Sequence, residues 1–284
     1  MARPLRDFRS AALILGAIAS VLAAGMVGCG SKRITEDIQV YGVSRDDPLV
    51  SEIVRDPLAG LRSGLDWYNR LPVRDYTCTL YKQERIDPKA AGFLPEQKLL
   101  CKFREPPFSV YIDTVVNARA GKEVLYVEGR WGNQMLVKPA GFIGGLVSTV
   151  VVDPHGERAR STSLRPVDQF GFERSLESMT ESYRTAHREG IVKLAILGEA
   201  DVSGRKTLVL DVDIREPKPT GRFEFPHVRV YVDREWRLPV AADIWDADGI
   251  ERGRYRYADV KFNVGLTDAD FDPTSYGLRP PKEQ

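Results

Sequence analysis

Histidine and cysteine are scarce in this chain, three of each in 284 residues. His155, His187 and His227 lie far apart in unrelated contexts, and no CxxC, HExxH or EF-hand pattern occurs. The usual zinc, thiol-redox and calcium motifs are therefore excluded, and neither a cofactor nor a metal site is expected. An excess of one charge is missing as well. Lys and Arg number 41 against 40 Asp and Glu, mixed along the chain. That balance excludes the basic stripe a nucleic-acid surface needs. Internal repeats are absent, and only one long apolar run occurs, at Ala11–Val27.

That run is the first thing present. Arg3, Arg6 and Arg9 precede it, and small residues close it. A basic start, an apolar stretch and a small-residue end form a secretory signal. The run is slightly short of the roughly 20 residues of a full membrane span. Met26-Val27-Gly28-Cys29 follows, and it resembles the bacterial lipobox, with Met in place of the usual Leu. The resemblance implies that Cys29 receives a diacylglycerol and becomes the first residue of the mature protein. Residues 1–28 are then a leader, residues 29–55 a polar flexible tether, 56–275 the folded domain and 276–284 a tail. The expected location is the cell envelope, lipid-anchored to a membrane facing the periplasm.

Beyond the tether, patterning alternates between two periods. Asp56-Pro57 reads as a helix N-cap with Pro in the first turn, Leu58, Leu61, Leu65 and Tyr68 follow at helical spacing, and Pro72 stops the helix. Residues 75–116 then alternate and turn like a β-meander. Centring the first turn in Asp87–Gly92 places Tyr76 opposite Phe103, Leu80 opposite Leu99, Ile86 opposite Phe93 and Cys78 opposite Cys101. A slip of one residue would mix the apolar and polar faces. An exported protein permits a Cys78–Cys101 disulfide. Further strands follow to Lys138. A second helix carries Phe172, Leu176, Met179, Tyr183 and Ala186 on one face. Five strands then run from about residue 192 to 264, with Asp246–Gly249 as a hairpin turn. The fold class is mainly β (α+β): a curved antiparallel sheet forming an incomplete barrel, with helices packed on its concave face.

The closing third carries a resemblance. Val228–Asp233, Leu238-Pro239, Asp248-Gly249, Asn263, and Leu266, Asp268 and Phe271 are similar to the end of the LolA/LolB superfamily, the carrier and receptor of bacterial lipoproteins. More closely, "DYTCTLYKQERID" and "KFREPPFSVYIDT" resemble an uncharacterised family of bacterial envelope proteins of unknown function, over about residues 57–275. The superfamily resemblance implies a half-barrel that holds acyl chains or other apolar groups, and some relatives sense envelope stress.

Three functions stay open at this point. The first is a lipid-anchored protein holding an acyl chain, a lipid or a lipoprotein. The second is a protein-interaction or sensing module of the same fold. The third is an unrecognised hydrolase, for which Glu84, Asp87 and Glu96 near one turn are the candidate carboxylates, while Ser109 and His155 lack a nucleophile-elbow context. No enzyme activity is expected. For the first reading the ligand-binding residues are Phe142, Ile143, Leu146, Phe172, Leu176 and Met179. Phe142–Val152 reads either as a buried strand or as a gate, because Gly141, Gly144 and Gly145 free the backbone. The expected partners are a membrane, through the N-terminal lipid, and a lipid or lipoprotein. The oligomeric state is open.

Overall fold

The computed structural model describes residues 38–141 and 149–281. The leader, Cys29, Phe142, Ile143 and Leu146 lie outside the described residues. The chain runs β1 (Gln39–Val40), α1 (Pro48–Arg55), α2 (Pro57–Arg70), β2 (Asp75–Glu84), β3 (Gln97–Arg104), β4 (Ser109–Val116), β5 (Gly121–Val127), β6 (Met135–Pro139) and β7 (Val150–Val152). It continues with α3 (Glu157–Arg160), α4 (Phe172–Arg188), β8 (Val192–Val202), β9 (Arg205–Ile214), β10 (His227–Asp233), β11 (Pro239–Trp245) and β12 (Glu251–Phe262). The unit from Glu36 to Gln284 contains every one of these elements. The buried clusters of the described residues are built from its strands and helices.

The twelve strands of the described residues join one sheet in the order β1-β8-β9-β10-β11-β12-β2-β3-β4-β5-β6-β7. Two meanders meet where β12 returns antiparallel beside β2, with Tyr257 opposite Leu80 and Phe262 opposite Tyr76. β1 and β7 remain as margins, so the sheet is a curved, incomplete barrel. It is mixed rather than purely antiparallel, because β1 runs parallel to β8. Ile38 and Val40 bury there with Ile196, which favours adding this short strand to the margin.

The β2–β3 register is the expected one, with Tyr76 opposite Phe103, Leu80 opposite Leu99 and Cys78 opposite Cys101. Pairing ends at Lys82–Gln97, so Ile86 and Phe93 do not face each other. Pro88 and Pro95 lack the N–H that would extend the ladder, and residues 85–96 form a loop instead. The expected disulfide is corrected: Cys78 and Cys101 are both buried free thiols. Burial, reinforced by the adjacent Cys101 thiol, pushes the Cys78 thiol well above its ordinary pKa. The nucleophilic thiolate is thereby suppressed.

The stretch read as a flexible tether is folded from residue 38. Asp47 caps α1 by accepting from the Leu49 and Val50 amides at 3.0 and 3.1 Å, Pro48 sits in the first turn, and Leu49, Val50 and Ile53 are buried. Asp56 ends α1 and caps α2. The buried stripe of α2 is Gly60, Gly64 and Tyr68, while Leu58, Leu61 and Leu65 are only partly buried. Glycine lets α2 lie unusually close to α1 and to the backbone of the β10–β11 corner, where Arg237 has φ +63°. The expected tail is also engaged. Leu278 is buried with Phe271, Leu125 and Leu136 on the sheet face opposite the helices.

Candidate functional site

The strand registers bring the ends of β2, β4, β6, β9 and β11 to one end of the sheet, beside the starts of β3, β5, β7, β8, β10 and β12. A cavity of about 540 Å³ lies between the concave face and helices α1, α2 and α4, and residues of this sheet end line part of it. Its size is within the roughly 300–1,000 Å³ of small-molecule sites. Leu80, Leu99 and Ile112 contribute from one meander, and Leu210, Val230 and Ile244 from the other. Leu61, Leu176, Met179 and Tyr183 close it from the helices.

The void has a local cause. The α4 face toward the cavity alternates Leu176, Met179 and Tyr183 with Ser175, Ser178 and Ser182, whose short side chains fill little volume. Close packing returns at the side of the cavity. Tyr76 stacks on Phe103 at 4.7 Å, and Phe172 packs on Tyr76 at 5.3 Å and on Tyr257 at 4.6 Å. Gly171, at φ +112°, permits this approach, since a Cβ there would meet the Tyr76 hydroxyl at 3.1 Å. Of the expected ligand-binding residues within the described chain, Leu176 and Met179 line the cavity. Phe172 is instead a fully buried member of the aromatic cluster.

Polar groups concentrate toward one part of the lining. Glu84 is fully buried. It pairs with Lys82 at 3.2 Å and accepts from the Tyr255 hydroxyl at 2.8 Å and the Leu164 amide at 3.3 Å. Lys82 also donates to Ser163 at 3.2 Å. Burial, then the Glu84 charge, pushes the Tyr255 phenol well above its usual range, so it stays a donor. Arg119, on the β4–β5 link, donates to the Pro95 carbonyl at 2.9 Å and also lines the cavity. Sequence reasoning missed Lys82, Arg119 and Tyr255, which are separated in sequence and converge only through the strand register.

The candidate carboxylates are not brought together. Asp87 and Glu96 are exposed, Asp87 accepting from the Lys89 amide at 2.8 Å, while Glu84 faces inward. The Ser109 hydroxyl is buried and donates to the Pro107 carbonyl at 2.9 Å. His155 pairs with Asp168 at 2.7 Å on a separate, open surface. Among the described residues no group of three or more His, Cys, Asp and Glu side chains is placed to hold a metal ion.

A family model described as "Protein of unknown function (DUF1571)" matches residues 73–277. No curated protein matches the chain. Among solved structures, the chain is similar to the Pseudomonas aeruginosa MucA/MucB complex, at 16% identity and a TM-score of 0.41, covering 77% of this chain and 63% of that one. It is similar to the Mycobacterium tuberculosis lipoprotein LppX, at 14% identity and a TM-score of 0.42, covering 76% and 100%. A LolA superfamily protein from Nitrosomonas europaea aligns at 13% identity and a TM-score of 0.31, covering 76% and 98%. The chain spans less than two thirds of the MucB chains, 62% and 63% in two structures.

Proposed function

The chain belongs to the DUF1571 family, and we propose that this member is an exported, lipid-anchored envelope protein that holds an apolar chain in its half-barrel cavity. The observation that carries the reading is the apolar void of about 540 Å³ between sheet and helices. A void of that size lined by Leu, Ile, Val and Met loses dispersion contacts that a guest would restore. The paired state of Glu84 and Lys82 and the dispersed carboxylates favour binding over catalysis.

Anchoring rests on Cys29 and the leader before it. Among the described residues no helix is long and apolar enough to cross a membrane. A diacylglyceryl group supplies the two chains that stable anchoring takes. Cys29→Ser is expected to leave the precursor unprocessed and the protein out of the detergent phase. Normal processing of that variant would remove the lipoprotein assignment.

The cavity is tested with the 36–284 unit and the neutral fluorophore N-phenyl-1-naphthylamine. The wild-type unit is expected to enhance its emission, and fatty acids to displace it. Ala242 lines the cavity beside Val230 and Tyr255, so Ala242→Phe is expected to fill it and abolish uptake while the unit stays folded. No uptake by the wild type would leave protein interaction as the better reading.

A further inference from the structure

We propose that the ligand is an anionic amphiphile, whose apolar chain fills the cavity and whose carboxylate or phosphate head is held by Arg119. The inference rests on the cavity-binding reading above and adds the chemistry of the head.

The first observation is charge. The described residues lining the cavity include five basic side chains, Lys82, Arg119, Arg165, Arg222 and Arg237, and one acidic side chain, Glu224. The chain as a whole is nearly neutral, at +1, so the imbalance belongs to the cavity. Two of the five are neutralised within the fold. Lys82 pairs with Glu84 at 3.2 Å, and Arg222 pairs with Glu189 at 2.7 Å and Glu216 at 3.5 Å. Arg119, Arg165 and Arg237 form no ion pair among the described residues.

The second observation sets Arg119 apart in degree, since Arg237 leaves only Nη1 buried without a hydrogen-bond partner among the described residues. Arg119 Nη2 donates to the Pro95 carbonyl at 2.9 Å, while Nε and Nη1 are buried with no hydrogen-bond partner among the described residues. Buried donors are almost always satisfied, and these two belong to a half-buried side chain that has no ion pair among the described residues. Glu84 forms neither an ion pair nor a hydrogen bond with Arg119: Oε1 accepts from Tyr255 and Leu164, and Oε2 pairs with Lys82 while making no hydrogen bond among the described residues. Burial draws the guanidinium slightly below its ordinary pKa, with Glu84 opposing, yet an arginine remains charged.

The third observation is that the site is held in place before any ligand arrives. Asn117, at φ +54°, donates from its side chain to the Glu96 carbonyl at 2.7 Å, and Gln97 donates to the Asn117 carbonyl at 3.2 Å. With the Arg119–Pro95 bond, these contacts tie the β4–β5 link to the 85–96 loop. An oxyanion arriving at the end of an apolar chain meets a fixed cation with spare N–H groups. Such charge-assisted hydrogen bonds are the strong kind.

The test is displacement of N-phenyl-1-naphthylamine from the 36–284 unit by dodecanoate, dodecyl phosphate and 1-dodecanol, which share one tail. The expected result is that at least one anion binds tenfold or more tightly than the alcohol. Arg119→Gln should remove that preference and leave 1-dodecanol affinity unchanged, and Arg119→Lys should keep part of it. A stronger grip on the phosphate than on dodecanoate identifies a phosphate head, and the reverse a fatty acid. Equal binding of acid, phosphate and alcohol by the wild type overturns the head assignment and leaves the cavity reading standing. Equal loss of all three in Arg119→Gln assigns a structural role and overturns it too. No binding of any of them overturns both.

Discussion

Gly64→Ala isolates the contact that sets α2 against the β10–β11 corner. A Cβ built on Gly64 would stand 2.4 Å from the Arg237 carbonyl oxygen and 3.1 Å from Leu176 Cδ1. The nearer atom is backbone, so no side-chain rotamer relieves it. The helix or the corner must retreat until that gap exceeds 3.0 Å. Overpacking of this kind costs typically 1–3 kcal/mol, and an unrelieved backbone clash belongs at the upper end. Against it, alanine in a helix interior gains about 1 kcal/mol over glycine. The net expectation is a loss of about 1–2 kcal/mol, or roughly 2–8 °C in Tm for a unit of this size. Gly92 has nothing within 4 Å of its Cβ position, so Gly92→Ala serves as the control and is expected to shift stability by less than about 0.5 kcal/mol. Thermal and urea unfolding of the 36–284 unit decide. A Gly64→Ala variant as stable as the wild type, or more so, would show that helix propensity dominates and that the close approach is not a constraint.

Three other outcomes follow from the same geometry. Affinity for straight-chain fatty acids should rise about fourfold per methylene, from about 0.8 kcal/mol each, and then level off once the cavity is full; a flat series from the shortest acid would contradict burial of the chain. Glu84→Ala should cost about 3–5 kcal/mol, because it strands Lys82 and the Tyr255 hydroxyl without their buried acceptor, and Glu84→Gln should cost less; a loss below 1 kcal/mol on urea unfolding counts against this account. Cys78 and Cys101 should resist maleimide in the native unit and both react in denaturant without reductant; labelling of neither in denaturant would indicate a bridge.

Much of the architecture is legible in the residues because its signals are local and periodic. The Tyr76–Phe103 and Leu80–Leu99 pairs follow from two-residue alternation across one turn. α2 and α4 follow from apolar spacing closed by Asp56-Pro57 and Gly190. α1 escaped notice because its eight residues sit in a polar stretch, and its apolar Leu49, Val50 and Ile53 make too short a pattern to stand out. The glycine stripe of α2 escaped for a different reason. Hydrophobic periodicity points to leucines, and Gly60 and Gly64 are the deeper face only because the neighbours approach so closely. Cys78 and Cys101 show the limit from the other side, since the correct register does not specify the oxidation state of the pair.

The site was harder to read than the fold because a void is a difference between volumes, not a property of any residue. Leu176 and Met179 look like ordinary core, and on their spacing alone Phe172 is equivalent to them. What separates them is that Phe172 meets Tyr76 and Tyr257, whereas Leu176 and Met179 share their helix face with three serines beneath a wide sheet. The polar lining is still less visible. "YKQER" reads as a solvated strand, and alternation predicts that every second residue faces water. Yet Glu84 is fully buried and Lys82 lines the cavity, because β12 and the Ser163–Arg165 segment cover that end of β2. A buried Lys–Glu pair contributes little net stability, since desolvation offsets its attraction. Its consequence here is electrostatic: it cancels one cation and leaves Arg119, with Arg165 and Arg237, as the unpaired charge of the described lining. Replacing Glu84 should therefore raise affinity for an anionic ligand even as it lowers stability, the opposite of what a purely structural pair would do.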